Sequence, residues 1–304
     1  MSRAKYTFPT RFNATNIAEL SFVILLFSIA GTAFMALNEV RAVVIYATLM
    51  SLSFIVLFFK LQTSKDEDKP TSIIPIPFAK KFSLSVFFYV AGWIMPVIMT
   101  SLIALMSISV APSLSLADFN TPLFTSEIVE DGQSLSVAEL EDKMSTKIFN
   151  IVYVAGSDES IVYNWLAMLF GVVAGGIVFK MLGSKYNPML AKVFAYGFSV
   201  FVFVISHVVN STYSNPTMFI IAGAFLLISN ISIYEFGVPL SFWIGFHQCN
   251  NFLYLMAVFG TTAVVKGLLS LAGLIMLGIG IICIYYLINN WDVVSKDVSG
   301  WLRA

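Results

Sequence analysis

The chain has 304 residues, of which 58% are hydrophobic and only 11% charged, and its formal net charge is zero. Soluble globular domains carry about 25% charged residues, so this composition, with a mean hydropathy of +0.87, indicates a membrane protein. The lack of net positive charge argues against binding to nucleic acid. The only two cysteines, Cys249 and Cys283, lie in apolar runs, which argues against a disulfide-rich secreted domain.

Apolar runs of membrane-spanning length recur along the chain and predict an all-α, polytopic membrane helix bundle of about eight transmembrane helices. The third helix is long enough to bend at Pro96, and Gly237-Val238-Pro239 separates the sixth helix from the seventh. The predicted helices cover 17–37, 42–60, 82–110, 161–182, 191–210, 217–235, 239–259 and 262–289. The chain therefore divides into three helices (1–110), a loop (111–160), a five-helix core (161–289) and a tail (290–304).

The distribution of lysine and arginine predicts the orientation of these helices. If the amino terminus is cytoplasmic, only four of the 17 basic residues fall in outer segments, namely Arg41, Lys143, Lys147 and Lys266. Because cytoplasmic loops carry the excess of lysine and arginine, both termini are predicted to be cytoplasmic.

The predicted outer loop contains one helical pattern. Apolar residues recur at the spacing of a single helix face, at Val137, Leu140, Met144, Ile148 and Ile151. We expect this helix to lie on the membrane surface. Most of the acidic residues of the loop are interpreted as solvated.

Both histidines of the chain fall inside predicted membrane helices, where an ionisable residue suggests a functional site. His207 lies near the outer end of the fifth helix, and His247 lies near the middle of the seventh. Asn251 follows His247 by four residues and so shares its helix face. Gln248 and Asn250 point elsewhere and need other partners. The alternative is that His247 and Asn251 form interhelical hydrogen bonds of purely structural value.

A third polar element, GSDESIVYNWL at 156–166, opens the fourth predicted helix. Ser157 is suited to cap that helix, which would place Asp158 and Glu159 in its first turn. There the two carboxylates would lie on the same side of the membrane as His207. A carboxylate beside two imidazoles can activate water, as a general base or through a metal. Alternatively, the carboxylates only stabilise the positive end of the helix dipole.

These three elements, in this order, resemble the motifs of the CPBP family of intramembrane proteases, which includes the CAAX prenyl endopeptidases. The family motifs are E-E-x-x-x-R, F-x-x-x-H and H-x-x-x-N or D. The chain has Asp158-Glu159-Ser160-Ile161-Val162-Tyr163, then Phe203-Val204-Ile205-Ser206-His207, then His247-Gln248-Cys249-Asn250-Asn251. The H-x-x-C-N form of the third motif matches through Asn250, so Asn251 is the first candidate asparagine and Asn250 the second.

The resemblance, which covers about residues 150–260, implies an intramembrane endopeptidase. Asp158 or Glu159 would activate water with His207, and His247 with Asn251 would stabilise the oxyanion. The first motif departs from the family, because an aspartate replaces the leading glutamate and Tyr163 replaces the arginine. Both changes fit a catalytically inactive relative as well.

Three functions therefore remain open: an intramembrane protease, an inactive scaffold subunit of a membrane complex, and a transporter that moves protons along Glu235, His207 and His247. The expected partners are the lipid bilayer and either a peptide, with or without a lipid modification, or a membrane protein. A divalent metal such as zinc could bind at His207, His247 and Glu159; the alternative is water activation without a metal.

Overall fold

The computed structural model describes residues 81–110, 137–168, 188–209 and 216–303, with 171, 175 and 178 in addition. Some side chains within these ranges, including those of 103–110, Asp158 and 205–209, are not described. The described residues are helical and contain no strand, so they form an all-α structure. The first two predicted helices lie outside the described residues.

The described helices follow one another in chain order. Helix α1 spans Phe82–Val110, as predicted, and continues through Pro96. Helix α2 (Val137–Phe149) runs into a first π-helical segment (Asn150–Ala155), helix α3 (Gly156–Ile161) and a second π-helical segment (Val162–Leu166). Then come α4 (Pro188–Val209), α5 (Pro216–Phe236), α6 (Leu240–Leu269), α7 (Leu271–Asn289) and α8 (Trp291–Leu302).

The described residues belong to two compact units. One comprises the described residues of 76–166 and 200–304, and the other those of 167–199. Within the second unit, a Cβ on Gly171 would lie 2.7 Å from the Cα atom of Ala195, so the backbone approaches closely there. The rings of Phe194 and Phe198 stack in the same unit.

The first unit is built on α6, which packs most extensively against α1. Two glycines allow the backbones of these helices to touch, as small residues do at the helix interfaces of membrane proteins. A Cβ on Gly92 would lie 2.1 Å from the carbonyl oxygen of Phe242, and a Cβ on Gly245 would lie 2.2 Å from that of Tyr89. No side chain fits at either position without separating the helices.

Two turns around α6 require glycine. Gly237, with φ of 68°, ends α5 before Pro239, so the predicted break at Gly237-Val238-Pro239 is confirmed. Gly260, with φ of 73°, breaks the helical geometry within α6. The chain then continues as helix to Leu269 and breaks again at Ser270, whose side chain accepts a hydrogen bond from the backbone of Gly273. The single helix predicted over 262–289 is therefore two helical pieces.

Helix α2 confirms the helix predicted in the loop, but its apolar face contacts protein. Met144 and Ile148 of the predicted stripe are buried, together with Val152 of the following π-helical segment. They pack against residues of α6 and α7, namely Leu255, Ala263, Val264 and Met276. This packing corrects the expectation of a helix that turns its apolar face to the membrane surface. Protein packing explains the same periodicity.

The tail predicted at 290–304 contains helix α8, which docks on the start of α1. Asp297 accepts hydrogen bonds from Lys81 and, at 2.6 Å, from the hydroxyl of Ser83. These bonds hold the pKa of the Asp297 carboxyl below its usual range. The indole Nε1 of Trp301 donates to the carbonyl of Gly237 at 3.2 Å, and its ring packs edge-on against Phe88.

Two described helices are long and apolar enough to cross a membrane: Phe82–Leu102 within α1, and α7. Only a minor part of each helix is buried within the described structure, whereas the core helix of a soluble protein is mostly buried. Five large side chains of α7 are 65–77% exposed, namely Leu271, Ile281, Ile282, Tyr285 and Ile288. An apolar surface of this kind is typical of contact with lipid.

Candidate functional site

Glu159 lies within a continuous helical stretch that begins at Val137. Gly156, which was expected to precede a helix start, has helical backbone angles. The hydroxyl of Ser157 donates to the carbonyl of Tyr153 at 2.7 Å, one turn back, so Ser157 is not a helix cap. The prediction that Asp158 and Glu159 occupy a first helical turn is therefore wrong, and with it the explanation that they only stabilise a helix dipole.

Glu159 and His247 form the central contact of the candidate site. Their Oε2 and Nε2 atoms lie 3.2 Å apart, so a carboxylate of α3 meets an imidazole of α6. The glutamate side chain is 33% exposed and the histidine side chain 29% exposed. Both side chains are thus partly buried. The structure pairs the first motif with the third, whereas the family resemblance pairs the carboxylate with His207.

Asn251 does not turn its amide nitrogen toward that pair. Its Nδ2 atom donates to the backbone carbonyl of Ile151 at 3.0 Å, in the first π-helical segment. Asn250, the second candidate, has an exposed side chain on another face of α6. The predicted oxyanion donor is therefore engaged in a contact between α6 and the π-helical segment.

Gln248 has hydrogen-bond partners on both ends of its buried amide. Its oxygen accepts from the Tyr89 hydroxyl at 2.6 Å and the Trp93 indole at 3.2 Å. Its nitrogen donates to the Ser157 hydroxyl at 2.8 Å and approaches the Tyr153 carbonyl at 3.4 Å. From the sequence, Gln248 was expected only to lie on a different helix face from His247 and to need other partners. The amide joins α1, α6 and the first π-helical segment, and it lies next to His247 in sequence.

The first and second motifs also meet. The ring of Tyr163, at the position of the family arginine, packs edge-on against Phe203 with ring centroids 5.1 Å apart. His207 follows Phe203 by one helical turn in α4. The side chains of His207 and Asp158 lie outside the described residues, so their predicted roles stay predictions.

A buried polar cluster between the second π-helical segment and α5 was not predicted. The amide nitrogen of Asn164 donates to Ser229 and, at 2.9 Å, to Asn230. The hydroxyl of Tyr234 donates to the backbone carbonyl of Asn164 at 2.7 Å. The pair Ser229-Asn230 inside the apolar run of α5 is the sequence signal that marks it. These bonds join the second π-helical segment to α5.

The described side chains supply two of the three predicted zinc ligands, Glu159 and His247, while a zinc site needs at least three protein ligands. Among the side chains that the structure describes, no three histidine, cysteine or acidic residues cluster as a metal site would require. The chemistry open to the described side chains is that of the carboxylate–imidazole pair.

Comparison with models of protein families, with curated proteins and with solved structures finds no match to this chain.

Proposed function

We propose that this chain is a membrane-embedded hydrolase, an intramembrane endopeptidase similar to the CPBP family, in which Glu159 and His247 carry out proton transfer. The observation that supports the proposal most is the 3.2 Å contact between these two side chains. It joins residues 88 positions apart that belong to two separate motifs. Neither motif alone is specific.

The pair is suited to general acid–base catalysis. A neutral His247 with its proton on Nε2 can donate a hydrogen bond to the Glu159 carboxylate. This bond fixes the tautomer and leaves Nδ1 free to accept a proton. Such a pair can take a proton from a water as it attacks a peptide carbonyl and return it to the leaving amine. Partial exposure of both groups supports access of water and substrate. His207 is a further candidate for this site through its place in α4.

The proposal includes the membrane topology. In addition to the two described apolar helices, further helices would cross the membrane, and both termini would lie in the cytoplasm. The exposed apolar surface of α7 and the apolar run of α1 support contact with lipid. The substrate would be a peptide, with or without a lipid modification, that enters from the bilayer.

A second candidate function is a non-catalytic scaffold that resembles the same family. It is favoured by the hydrogen bonds of Gln248 and Asn251, since both amides stabilise helix packing. In a scaffold, Glu159 and His247 would add one more interhelical contact.

The test is peptide cleavage by the purified chain reconstituted in liposomes, with a library of quenched fluorescent peptides that includes lipid-modified members. We expect Glu159→Gln and His247→Asn to reduce turnover by a factor of about 10² to 10⁴, the usual contribution of general acid–base catalysis. The matched control is Glu141→Gln, because Glu141 also pairs with a side chain of α6, Lys266, at 3.8 Å.

Loss of turnover in Glu159→Gln, with the control unchanged, supports the hydrolase. Unimpaired cleavage by Glu159→Gln, or no cleavage of any peptide by the unaltered chain, contradicts it. In the latter case, unchanged thermal stability of both variants would also argue against a structural role for the pair.

A further inference from the structure

The two π-helical segments explain an unusual burial pattern in the stretch that carries Glu159. Every fourth residue from 144 to 164 is buried, namely Met144, Ile148, Val152, Gly156, Ser160 and Asn164. An ideal α-helix advances about 100° per residue, so positions four apart drift by about 40° per step and about 200° over five steps. Such a helix would turn one end of this row away from its neighbours.

The row nevertheless follows one partner helix, α6, from Met144 to Ser160, and only its last member, Asn164, contacts α5. Met144, Ile148 and Val152 pack with residues of α6 near its carboxyl end. Further along, a Cβ on Gly156 would lie 3.0 Å from the backbone of Gln248, and the Ser160 hydroxyl lies 3.4 Å from the carbonyl of Trp243. Each π-helical segment accommodates about one residue more than an α-helical turn and so removes about 100° of drift. Because of the first segment, the buried positions of α2 and of α3 therefore face the same partner helix.

The rotation of α3 about its own axis, relative to α2, decides which side chain of α3 faces α6. If the first π-helical segment became α-helical while α2 stayed in place, α3 would rotate by about 100°. Glu159 would then take the place of Ser160 against the backbone of α6. Its carboxylate would leave the edge of the interface where His247 lies.

A π-helical segment is rare and needs support from its surroundings. Two side chains of α6 supply that support. Asn251 donates to the carbonyl of Ile151 at 3.0 Å, and Gln248 binds Ser157, which donates to the carbonyl of Tyr153. The hydrogen bonds that the Gln248 oxygen accepts from α1 orient its nitrogen toward the segment.

We propose that Asn251 and Gln248 are positioning residues that hold the π-helical segment Asn150–Ala155, and that the extra residue of this segment turns Glu159 toward His247. This inference builds on the proposed function, because the pair that it positions is the proposed catalytic pair. It assigns Asn251 a role different from that of an oxyanion donor.

The proposal predicts that removing one residue from the segment makes the π-helix unnecessary. The side chain of Val154 is 39% exposed. Deletion of Val154 would bring Gly156 to three positions after Val152, and residues three apart share one face of a regular α-helix. Gly156 and Glu159 would then keep their present orientation relative to α2 without a π-helical segment. Asn251 would then no longer be needed to hold the register. Insertion of one alanine after Val154 is the matched control, because it adds a residue that the segment cannot take up.

The experiment reads the Glu159–His247 contact directly, by NMR of the chain labelled with ¹⁵N-histidine in detergent micelles. The chain has two histidines, so His207→Asn assigns the His247 signals. Glu159→Ala, which removes the acceptor, provides the spectrum of a broken contact. We expect the Val154 deletion to keep the native His247 signals. Both the alanine insertion and Asn251→Ala should shift them to those of Glu159→Ala.

The decisive variant combines Asn251→Ala with the Val154 deletion, in which the native His247 signals should return. If the double variant keeps the broken contact, or if deletion and insertion change the signals alike, the positioning role is refuted. Because the readout is not turnover, these outcomes stand even if the chain cleaves no peptide. If the chain is active, recovery of turnover in the double variant separates positioning from oxyanion binding, since an oxyanion donor would remain missing.

Discussion

Replacement of Gly245 by alanine tests the packing of α1 against α6 on which the candidate site depends. The new Cβ would lie 2.2 Å from the carbonyl oxygen of Tyr89 and 3.1 Å from its carbonyl carbon. The helices would have to separate by about 1.2 Å to restore the 3.4 Å at which ordinary contact begins. The clash involves backbone, so a change of rotamer cannot relieve it.

The expected cost combines two opposing effects. Overpacking costs about 1–3 kcal/mol, whereas alanine gains up to about 1 kcal/mol over glycine in a helix. A clash with backbone belongs at the upper end of the first range, so we expect a net loss of about 2 kcal/mol. For a chain of this size that corresponds to a fall in melting temperature of roughly 3 °C.

The assay is thermal unfolding in detergent, followed with a thiol-reactive dye that labels Cys249 as α6 becomes exposed, because Cys249 is buried. Gly278→Ala is the control, since nothing lies within 4 Å of a Cβ at that position of α7. It should leave the melting temperature unchanged or raise it. Equal melting temperatures for the Gly245 and Gly278 variants would refute the close packing of α1 and α6.

Three further outcomes are expected. Gln248→Leu removes the acceptor of two partly buried donors of α1 and should destabilise the chain by about 3 kcal/mol, whereas Tyr89→Phe, which removes one donor, should cost about 1 kcal/mol in the same unfolding assay. Asn164→Leu should cost about 2–4 kcal/mol, because it leaves Ser229 and Asn230 without their buried partner. Asp297 has a depressed pKa in the folded chain, so its contribution is present above the unfolded pKa of about 4 and is lost as the pH falls through the folded pKa. Proteolysis at α8 should therefore increase in acid, and Asp297→Asn should show the increased proteolysis already at neutral pH; a pH profile equal to that of the unaltered chain would contradict this role.

The helices that the sequence predicted well are those whose ends carry local signals. Helix α1 begins beside the charged Lys81, and α5 ends at Gly237, before Pro239. The bounds of both agree with the prediction within one or two residues. Uniformly apolar runs between such signals depend little on tertiary contacts, so a single sequence suffices to place them.

The stretch around Glu159 was predicted less well because tertiary contacts override its local signals. Gly156 and Ser157 are typical of a helix start, yet the glycine serves the close approach to Gln248 and the serine bonds one turn back. The four-residue spacing of buried positions was present in the sequence. It indicates a π-helical insertion only when one extended partner helix, here α6, is known to contact the row from Met144 to Ser160.

The sequence placed Glu159 and His247 in one candidate site but did not predict that they contact each other. Placing Glu159 at a helix start put it at the membrane edge, near His207. The helical stretch in fact begins well before Glu159, at Val137, and Glu159 contacts His247. Helix α8 was missed because its apolar positions are few and alternate with charged ones, and its docking depends on the distant Lys81 and Ser83.

The energetics of the Glu159–His247 pair bear on the choice between enzyme and scaffold. Within a bundle of apolar helices, an ionisable pair stabilises packing less than apolar side chains of similar volume would, because its desolvation offsets the attraction. The neutral amides of Gln248 and Asn251 already join α6 to the π-helical segment without such a cost. A scaffold therefore gains little from adding a carboxylate and an imidazole that remain about one-third exposed. Proton transfer needs both properties, a titratable pair and access to it, and this is why we favour the hydrolase.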